Sequence, residues 1–280
     1  MATIAETLKS AVQTLSRHSE SPRLDAELLL GKVTGLSRPA LIARADECVA
    51  QDSLRAYADL VLRRAGGAPI AYLTGSSEFW SLPLTVTPAV LVPRPETETL
   101  IEQALRLKSR DEACSVLDLG TGSGAIALSI ASERPHWQLT GVDLSSQALA
   151  VAAQNSRALK LSHIQWRLGS WFEAVRGERF DLIVSNPPYI ASGDPALVAL
   201  AAEPSLALVA GPTGLEALSA IIAQAPSHLQ AGGWLLLEHG STQAPDVAAL
   251  LEQHGFESIG TVQDFAGRPR ITLGSVHTHH

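Results

Sequence analysis

The sequence predicts an α/β protein: a mostly parallel, seven-stranded sheet with helices on both faces, preceded by a small all-helical unit. Three observations carry this reading. Over the first 73 residues, apolar side chains recur at three- and four-residue spacing, the period of a helix face. After Ser115, short runs rich in Val, Ile and Leu alternate with longer amphipathic stretches, and such alternation builds a parallel sheet covered on both sides. The first of those runs ends in Gly120-Thr121-Gly122-Ser123-Gly124, a turn that drops the chain from a strand directly into a helix.

The elements follow in order. Ile4, Leu8, Val12 and Leu15 stripe a first helix, and Leu24, Leu28, Leu29 and Val33 a second. Ser21-Pro22 starts the second helix, because proline suits the first helical turn. Gly31 and Gly35 mark its end. Leu54, Tyr57, Leu60 and Val61 stripe a third, stopped by Gly66-Gly67 and Pro69. Residues 1–73 therefore read as a helical bundle. From Glu78 to Pro93 the stretch EFWSLPLTVTPAVLVP alternates, is rich in Val and Thr, and is broken by prolines. It reads as a β-hairpin, placed in a linker over 74–97. A helix runs from about Thr97 to Lys108, and the α/β domain occupies 98–280. Its strands are 115–119, 137–143, 163–168, 180–185, 233–239, 257–263 and 270–274; its helices are 124–133, 145–159, 214–229 and 243–254. Only Ala266 to Pro269 connects the last two strands, too little for a crossover, so they are expected to be antiparallel to each other.

Composition narrows the function classes. Hydrophobic residues make up 46% and charged residues 18% of the 280, enough for a sizeable core and contrary to disorder. The formal net charge is -7. Proteins that grip nucleic acid are usually basic, because phosphate neutralisation supplies most of the affinity, so no stable nucleic-acid partner is expected. Cys48 and Cys114 are far apart and in no ligand-like spacing; they read as buried small hydrophobes in a reducing compartment, with no disulfide and no metal. The N-terminal MATIAETLKSAVQTL carries Glu6 and Lys9 and lacks the apolar region of a signal peptide. No charge-free apolar run is long enough to span a bilayer. A soluble cytoplasmic protein working as a monomer, without membrane contact, is expected. The terminal His-Thr-His-His is assigned no function.

The glycines of the 120–124 turn let the backbone fold sharply and approach a ligand without interference from a Cβ. That ligand belongs beyond the carboxyl ends of the strands, where the sheet order reverses. Asp143 ends the next strand, where a carboxylate can accept hydrogen bonds from both hydroxyls of a ribose. Glycine is common in turns, so the loop alone says little; with an acid at the next strand end it points to a nucleoside cofactor. Gly120, Gly122 and Ala125 also satisfy the dinucleotide pattern. Asp118 argues against a dinucleotide: just before the loop, its charge repels a pyrophosphate but attracts the cationic methionine end of S-adenosylmethionine.

Asn186-Pro187-Pro188-Tyr189 directly follows the strand FDLIVS. An amide nitrogen is a poor nucleophile, because its lone pair is delocalised into the carbonyl. An enzyme that methylates it must accept hydrogen bonds from its NH2 group. The Asn186 side-chain carbonyl is one acceptor and the Pro187 backbone carbonyl a second. Consecutive prolines stiffen the loop and fix where those carbonyls point. The Tyr189 ring can lie flat over the planar amide. A sulfonium already carries the activating charge, so neither a metal nor a strong base is needed, and alignment supplies most of the acceleration. The alternative is an ordinary turn, since Asn-Pro is a common turn dipeptide. Its place after a strand in the second half of such a sheet favours function.

DLGTGSGAIAL, the Asp143 strand end and NPPY together resemble the amino-methyltransferases that act on planar nitrogen. The stretch TGSSEFWSLPLTVTPAVLVPRPETE (74–98) and the closing GRPRITLG (267–274) narrow this: the whole chain is similar to the PrmC/HemK family, the release factor glutamine N5-methyltransferases. The resemblance implies a Rossmann-like methyltransferase domain and a substrate, the glutamine of a Gly-Gly-Gln loop on class 1 peptide chain release factors. It implies that Gly120, Thr121, Gly122, Ser123, Gly124 and Asp143 bind S-adenosylmethionine, with Trp171 packed near the adenine. Asn186 would touch both cofactor and substrate, and Asn186, Pro187, Pro188 and Tyr189 would hold the glutamine amide. The helical domain would help dock the release factor. Many members carry an acid before the tryptophan, where this chain has Ser170, a weaker partner for the adenine amino group.

Other residues are weighed against bland readings. Glu96 and Glu98 suit a helix's first turn for the dipole alone; with Arg94 they are balanced between that and a pocket role. Trp80 is more simply a packing residue of the hairpin than a substrate anchor, and Glu238-His239 reads as structural. Three rival functions remain: a ribosomal protein glutamine as substrate, base methylation, for which no recognition domain is visible, and a non-catalytic binding module.

Overall fold

The computed structural model describes residues 2–277; apart from His277, the terminal His-Thr-His-His lies outside them. The chain divides into two compact units, Met1–Ser76 and Ser77–His280.

The first unit is helical: α1 (Ile4–Leu15), α2 (Pro22–Thr34), α3 (Arg38–Ala43), α4 (Gln51–Ala65) and α5 (Ile70–Thr74). Thr3 and Glu6 form a capping box that satisfies two amide groups at the start of α1. Leu8, Leu15, Leu29, Leu30 and Leu41 are buried together with Tyr57 and Val61, and the Tyr57 hydroxyl donates to the Ala26 carbonyl at 3.1 Å. Each fully buried leucine stabilises the bundle by about 1.5–3 kcal/mol. Three sequence expectations change here. Gly31 lies inside α2, and Gly35, with φ 71°, ends it. Helices α3 and α5 go unread in the sequence because five or six residues are too short to show a period. Cys48 is exposed, not buried, and only Cys114 is a core residue.

The second unit opens with the two-stranded ribbon β1 (Ser76–Phe79) and β2 (Leu82–Thr85). The hairpin expected over 78–93 is thus shorter and earlier. Residues 86–94 are irregular, because Pro88 and Pro93 lack the N–H a ladder needs. Trp80 packs and does not project, as expected: its backbone N–H donates to Glu98 Oε1 at 2.9 Å and its indole N–H to Glu133 Oε1 at 3.0 Å. Helix α6 (Glu98–Leu107) follows, then β3 (Ser115–Leu119), α7 (Ala125–Glu133), β4 (Gln138–Asp143), α8 (Ser146–Ala158), β5 (Gln165–Leu168) and β6 (Phe180–Ser185). A short bridge between β7 (Ile190–Ala191) and β8 (Val209–Gly211) precedes α9 (Glu216–His228), β9 (Leu229–Glu238), α10 (Ala244–Gln253), β10 (Glu257–Gln263) and β11 (Pro269–Ser275).

The sheet order is β10-β11-β9-β6-β3-β4-β5. β9, β6, β3, β4 and β5 are parallel, whereas β11 runs antiparallel to both β9 and β10. These are the seven strands and the antiparallel end expected from the sequence. One core holds Leu100, Ile101, Ile126 and Ile130 of α6 and α7 against Val116, Leu182, Val184 and Leu236. The other packs Leu218, Ile221 and Ile222 of α9 and Val247 and Leu251 of α10 against Leu117, Ile183, Leu235 and Leu237. The chain winds outward from β3 in both directions, so the order reverses between β3 and β6, and a crevice opens at their carboxyl ends.

Candidate active site

Register alone brings four sequence-distant residues into a row. Leu119 pairs with Val142 on one side and Ser185 on the other, and Ser185 pairs with Leu237. The residues that follow these pairs are Asp143, Gly120, Asn186 and Glu238. They stand side by side at the carboxyl ends of β4, β3, β6 and β9. Side chains alternate along a strand, so Asn186 and Glu238 share the face of Val184 and Leu236, toward α6.

The glycine turn has the geometry that its composition anticipates. Gly120, Gly122 and Gly124 all have positive φ, at 70°, 56° and 81°, which side chains resist. A Cβ on Gly124 would lie 3.0 Å from Trp166 and 3.1 Å from Leu128. The turn is tied down from two sides. Asp143 Oδ2 accepts from the Gly122 N–H at 2.8 Å, and Oδ1 from the Ser145 N–H at 2.8 Å. Burial raises the Asp143 carboxyl above its ordinary value, against the pull of those amides. From behind, Asn155 Nδ2 donates to the Ser123 and Thr85 carbonyls, each at 3.0 Å, while its Oδ1 accepts from the Thr85 N–H. This buried asparagine couples the turn to the end of β2, and no local spacing in the sequence announces it.

Asp118 does not do what the sequence suggests. It is fully buried and outside the crevice walls, so it cannot reach a ligand's methionine end. Its Oδ2 accepts from the Thr121 hydroxyl and the Ala127 N–H, and Oδ1 has no hydrogen-bond partner among the described residues. Strand alternation turns it inward toward α7, where burial pushes its pKa up to about 7. It props the turn from below.

The corner at 186–189 is held at every residue the sequence singled out except the prolines. The Ser185 hydroxyl donates to the Leu119 carbonyl at 2.7 Å, locking β6 to β3 just beneath it. Asn186 Nδ2 donates to Thr97 Oγ1 at 3.1 Å, and its side-chain carbonyl accepts no hydrogen bond among the described residues. The Tyr189 carbonyl accepts from Gln243 Nε2 at 3.1 Å. Gly214 backs it so closely that a Cβ there would lie 2.6 Å from that carbonyl oxygen. The Tyr189 hydroxyl reaches Glu238 Oε1 at 3.4 Å, and burial raises its pKa. The ring therefore lies against the core and Glu238, and neither Tyr189 nor Pro187 lines the crevice; Asn186 and Pro188 do. His239 is structural, as expected, with Nε2 at 2.8 Å from the Thr272 hydroxyl and burial lowering its pKa. Glu238 closes the row beside Asn186.

The crevice has a volume of about 570 Å³, the size of a small-molecule site. Gly120 to Ser123, Asp143, Ser170, Trp171 and Asn186 all face it. Its other walls are Pro88–Leu91 and Arg94 on one side and Leu206, Ala207, Val209 and Ala210 on the other. Those walls are fastened together: Glu203, itself buried, accepts from Arg94 Nη2 and from the Val92 N–H at 3.1 Å. Arg94 thus belongs to the pocket wall, whereas Glu98 braces the hairpin. Ser170 lies beside Trp171, which adopts φ 46°. A carboxylate at one end, a glycine cradle in the middle and an amide acceptor at the other suit a nucleoside with a short charged extension.

Comparison with known proteins agrees with this geometry. The PrmC N-terminal domain family matches residues 6–75, and the methyltransferase small domain family matches 97–203. The release factor glutamine methyltransferase of Xylella fastidiosa is 48% identical over 254 residues, covering 90% of this chain and 92% of its own. That of Salmonella typhimurium is 47% identical over 270 residues, covering 95% and 96%. This chain belongs to the release factor glutamine methyltransferase family. It is a methyltransferase, and its cofactor is S-adenosylmethionine. The crystal structure of a methyltransferase from Pyrococcus furiosus shares the fold, with a TM-score of 0.54 at 18% identity over 70% of this chain and 89% of that one. The residues present fit such a cofactor: the Asp143 carboxylate, the Gly120–Ser123 turn and the flat Trp171 ring all line the one crevice. Among the described residues no helix is long and apolar enough to cross a membrane.

Proposed function

We propose that this chain transfers a methyl group from S-adenosylmethionine to the side-chain amide nitrogen, N5, of the glutamine in the Gly-Gly-Gln motif of class 1 peptide chain release factors. The observation that carries the reading is the adjacency of Gly120 and Asn186 across the β3–β6 register, with the Asn186 amide oriented by Thr97. S-adenosylmethionine supplies an activated methyl on a sulfonium. The residues supply position. Gly120, Thr121, Gly122, Ser123 and Asp143 hold the cofactor, Gly124 lies outside the crevice and turns the chain into α7, Trp171 packs on the adenine, and Ser170 offers a hydroxyl to the base. Asn186 Oδ1 accepts from the substrate NH2, Pro188 shapes the wall, and Pro187 and Tyr189 stiffen the corner. As the nitrogen gains positive charge, that acceptor strengthens. The prolines keep it from rotating away.

The helical unit serves as a docking module for the release factor, which binds transiently to a monomeric, cytoplasmic enzyme. The test is methyl transfer from labelled S-adenosylmethionine to purified release factor compared with ribosomes. Label on the release factor is expected. Label confined to a ribosomal protein would make this a different glutamine methyltransferase, and label on RNA would remove the amide reading.

A further inference from the structure

We propose that Glu238 and Thr97 are positioning residues for the methyl transfer: together they fix which end of the Asn186 amide faces the substrate. The inference rests on the function proposed above and deepens it.

An asparagine amide has two ends of nearly equal shape and opposite chemistry. Only Oδ1 can accept from a substrate NH2; a flipped amide would set donor against donor. The selection is made by Thr97, whose Oγ1 accepts from Asn186 Nδ2 at 3.1 Å. A hydroxyl has a single hydrogen, and if that hydrogen pointed at Asn186 the amide would turn over. A group that draws it elsewhere must lie on the other side of Thr97. Glu238 is that group. Register sets it beside Asn186, and the Thr97 hydroxyl is among the groups that favour its ionised form. Glu238 is 1% exposed, and its Oε2 has no hydrogen-bond partner among the described residues. The Tyr189 hydroxyl is at 3.4 Å from Oε1, a long contact. A buried carboxylate with an open acceptor position requires a donor, and the Thr97 hydrogen is the one left over. The order is then fixed. Glu238 takes the Thr97 hydrogen, Thr97 takes the Asn186 Nδ2 hydrogen, and Oδ1 is left for the substrate. The same carboxylate receives the Tyr189 hydroxyl, so one residue steadies both polar ends of the corner.

The arrangement works only while Glu238 is ionised. Burial pushes its carboxyl up to about 7, against the pull of the Thr97 and Tyr189 hydroxyls and the charge of Arg270 on β11; Glu96 opposes ionisation from the turn before α6. The adjacent His239 has its own pKa lowered by burial and by Arg270. Once protonated, Glu238 becomes a donor, the sequence of hydrogen bonds reverses, and Asn186 offers the wrong end.

The test uses the full-length Thr97→Val, Thr97→Ser and Glu238→Gln variants. Three quantities are read: kcat and KM on release factor, calorimetric affinity for S-adenosylmethionine, and NMR exchange of the Asn186 side-chain NH2, assigned by its loss in Asn186→Asp. Thr97→Val should lower kcat about 10- to 100-fold with cofactor affinity within about 2-fold of wild type. Thr97→Ser should recover most of the rate. Wild-type kcat should rise as pH climbs through about 7, and Glu238→Gln should lower kcat and flatten that rise. The Asn186 NH2 should exchange slowly in wild type and Thr97→Ser but fast in Thr97→Val. Wild-type turnover in Thr97→Val, an equal defect in Thr97→Ser, or cofactor affinity falling in step with kcat would each overturn the inference. The exchange measurement needs no substrate. A wild-type protein that leaves the release factor unmethylated refutes the proposed function alone, whereas equal exchange in wild type and Thr97→Val refutes the positioning.

Discussion

The buried acids of the helical unit and two buried acids near the strand ends of the α/β unit, Asp118 and Glu238, obey opposite rules. In the helical unit Asp25 accepts from the Ser19 hydroxyl and from Arg64 Nε, each at 2.7 Å. Glu27 is bound by both Arg23 and Arg38. Burial alone would raise the Glu27 carboxyl, yet the two guanidiniums hold it below its ordinary value. In the α/β unit Asp118 and Glu238 are buried at least as deeply, but each keeps one oxygen without a partner among the described residues, and burial pushes both up to about 7. Paired acids build the fold; unpaired ones stand at the strand ends around the crevice, where perturbed carboxyls gather in working sites.

Four substitutions would break or sharpen that contrast. The largest effect belongs to Asn186→Ala, which removes the acceptor at the corner. Turnover should fall about 10²- to 10³-fold in single-turnover assays, with cofactor affinity only modestly weaker. Next is Arg64→Met in the helical unit, which strands the Asp25 carboxylate. Arg64 is partly exposed, so the expected loss is about 2–3 kcal/mol, below the range for fully buried pairs, measured by urea unfolding. Asp143→Ala should weaken S-adenosylmethionine binding about 10- to 100-fold by calorimetry, the value of charge-assisted hydrogen bonds to a ribose. An unchanged dissociation constant would remove Asp143 from that role.

The smallest effect is a slope. A carboxyl raised from 3.8 to about 7 in the folded state binds more protons there than in the unfolded chain. Its contribution to stability is therefore full below about 3.8 and is lost as pH rises through about 7. Asp118→Asn should flatten the decline in melting temperature between those limits, and an unaltered slope would show that Asp118 is not the group responsible.

What the sequence reveals is what lies within a few consecutive residues. The glycine turn, Asp143 and the Asn-Pro-Pro-Tyr corner are legible because strand ends and turn residues carry their own local chemistry. The seven strands are legible because their apolar runs are long and well separated. Thr97 is not legible: it meets Asn186 across 89 residues, and nothing near either announces the other. Arg94 and Glu203 meet across 109. Asn155 and Glu238 acquire their roles only through register and packing. Asp118 misleads for a related reason, since its proximity to the turn in sequence says nothing about which face of β3 it occupies. The hairpin is overextended in the sequence reading because alternation continues through residues whose prolines cannot join a ladder.

The central claim is that the corner at Asn186 delivers a methyl group to one amide nitrogen. Its most direct test is tandem mass spectrometry of the Gly-Gly-Gln peptide, after release factor has been incubated with S-adenosylmethionine and either wild-type protein or Asn186→Ala. The account predicts a single methyl on the glutamine side-chain nitrogen with wild type and an unmodified peptide with the variant. A methyl on another residue, or equal modification by both proteins, would contradict it.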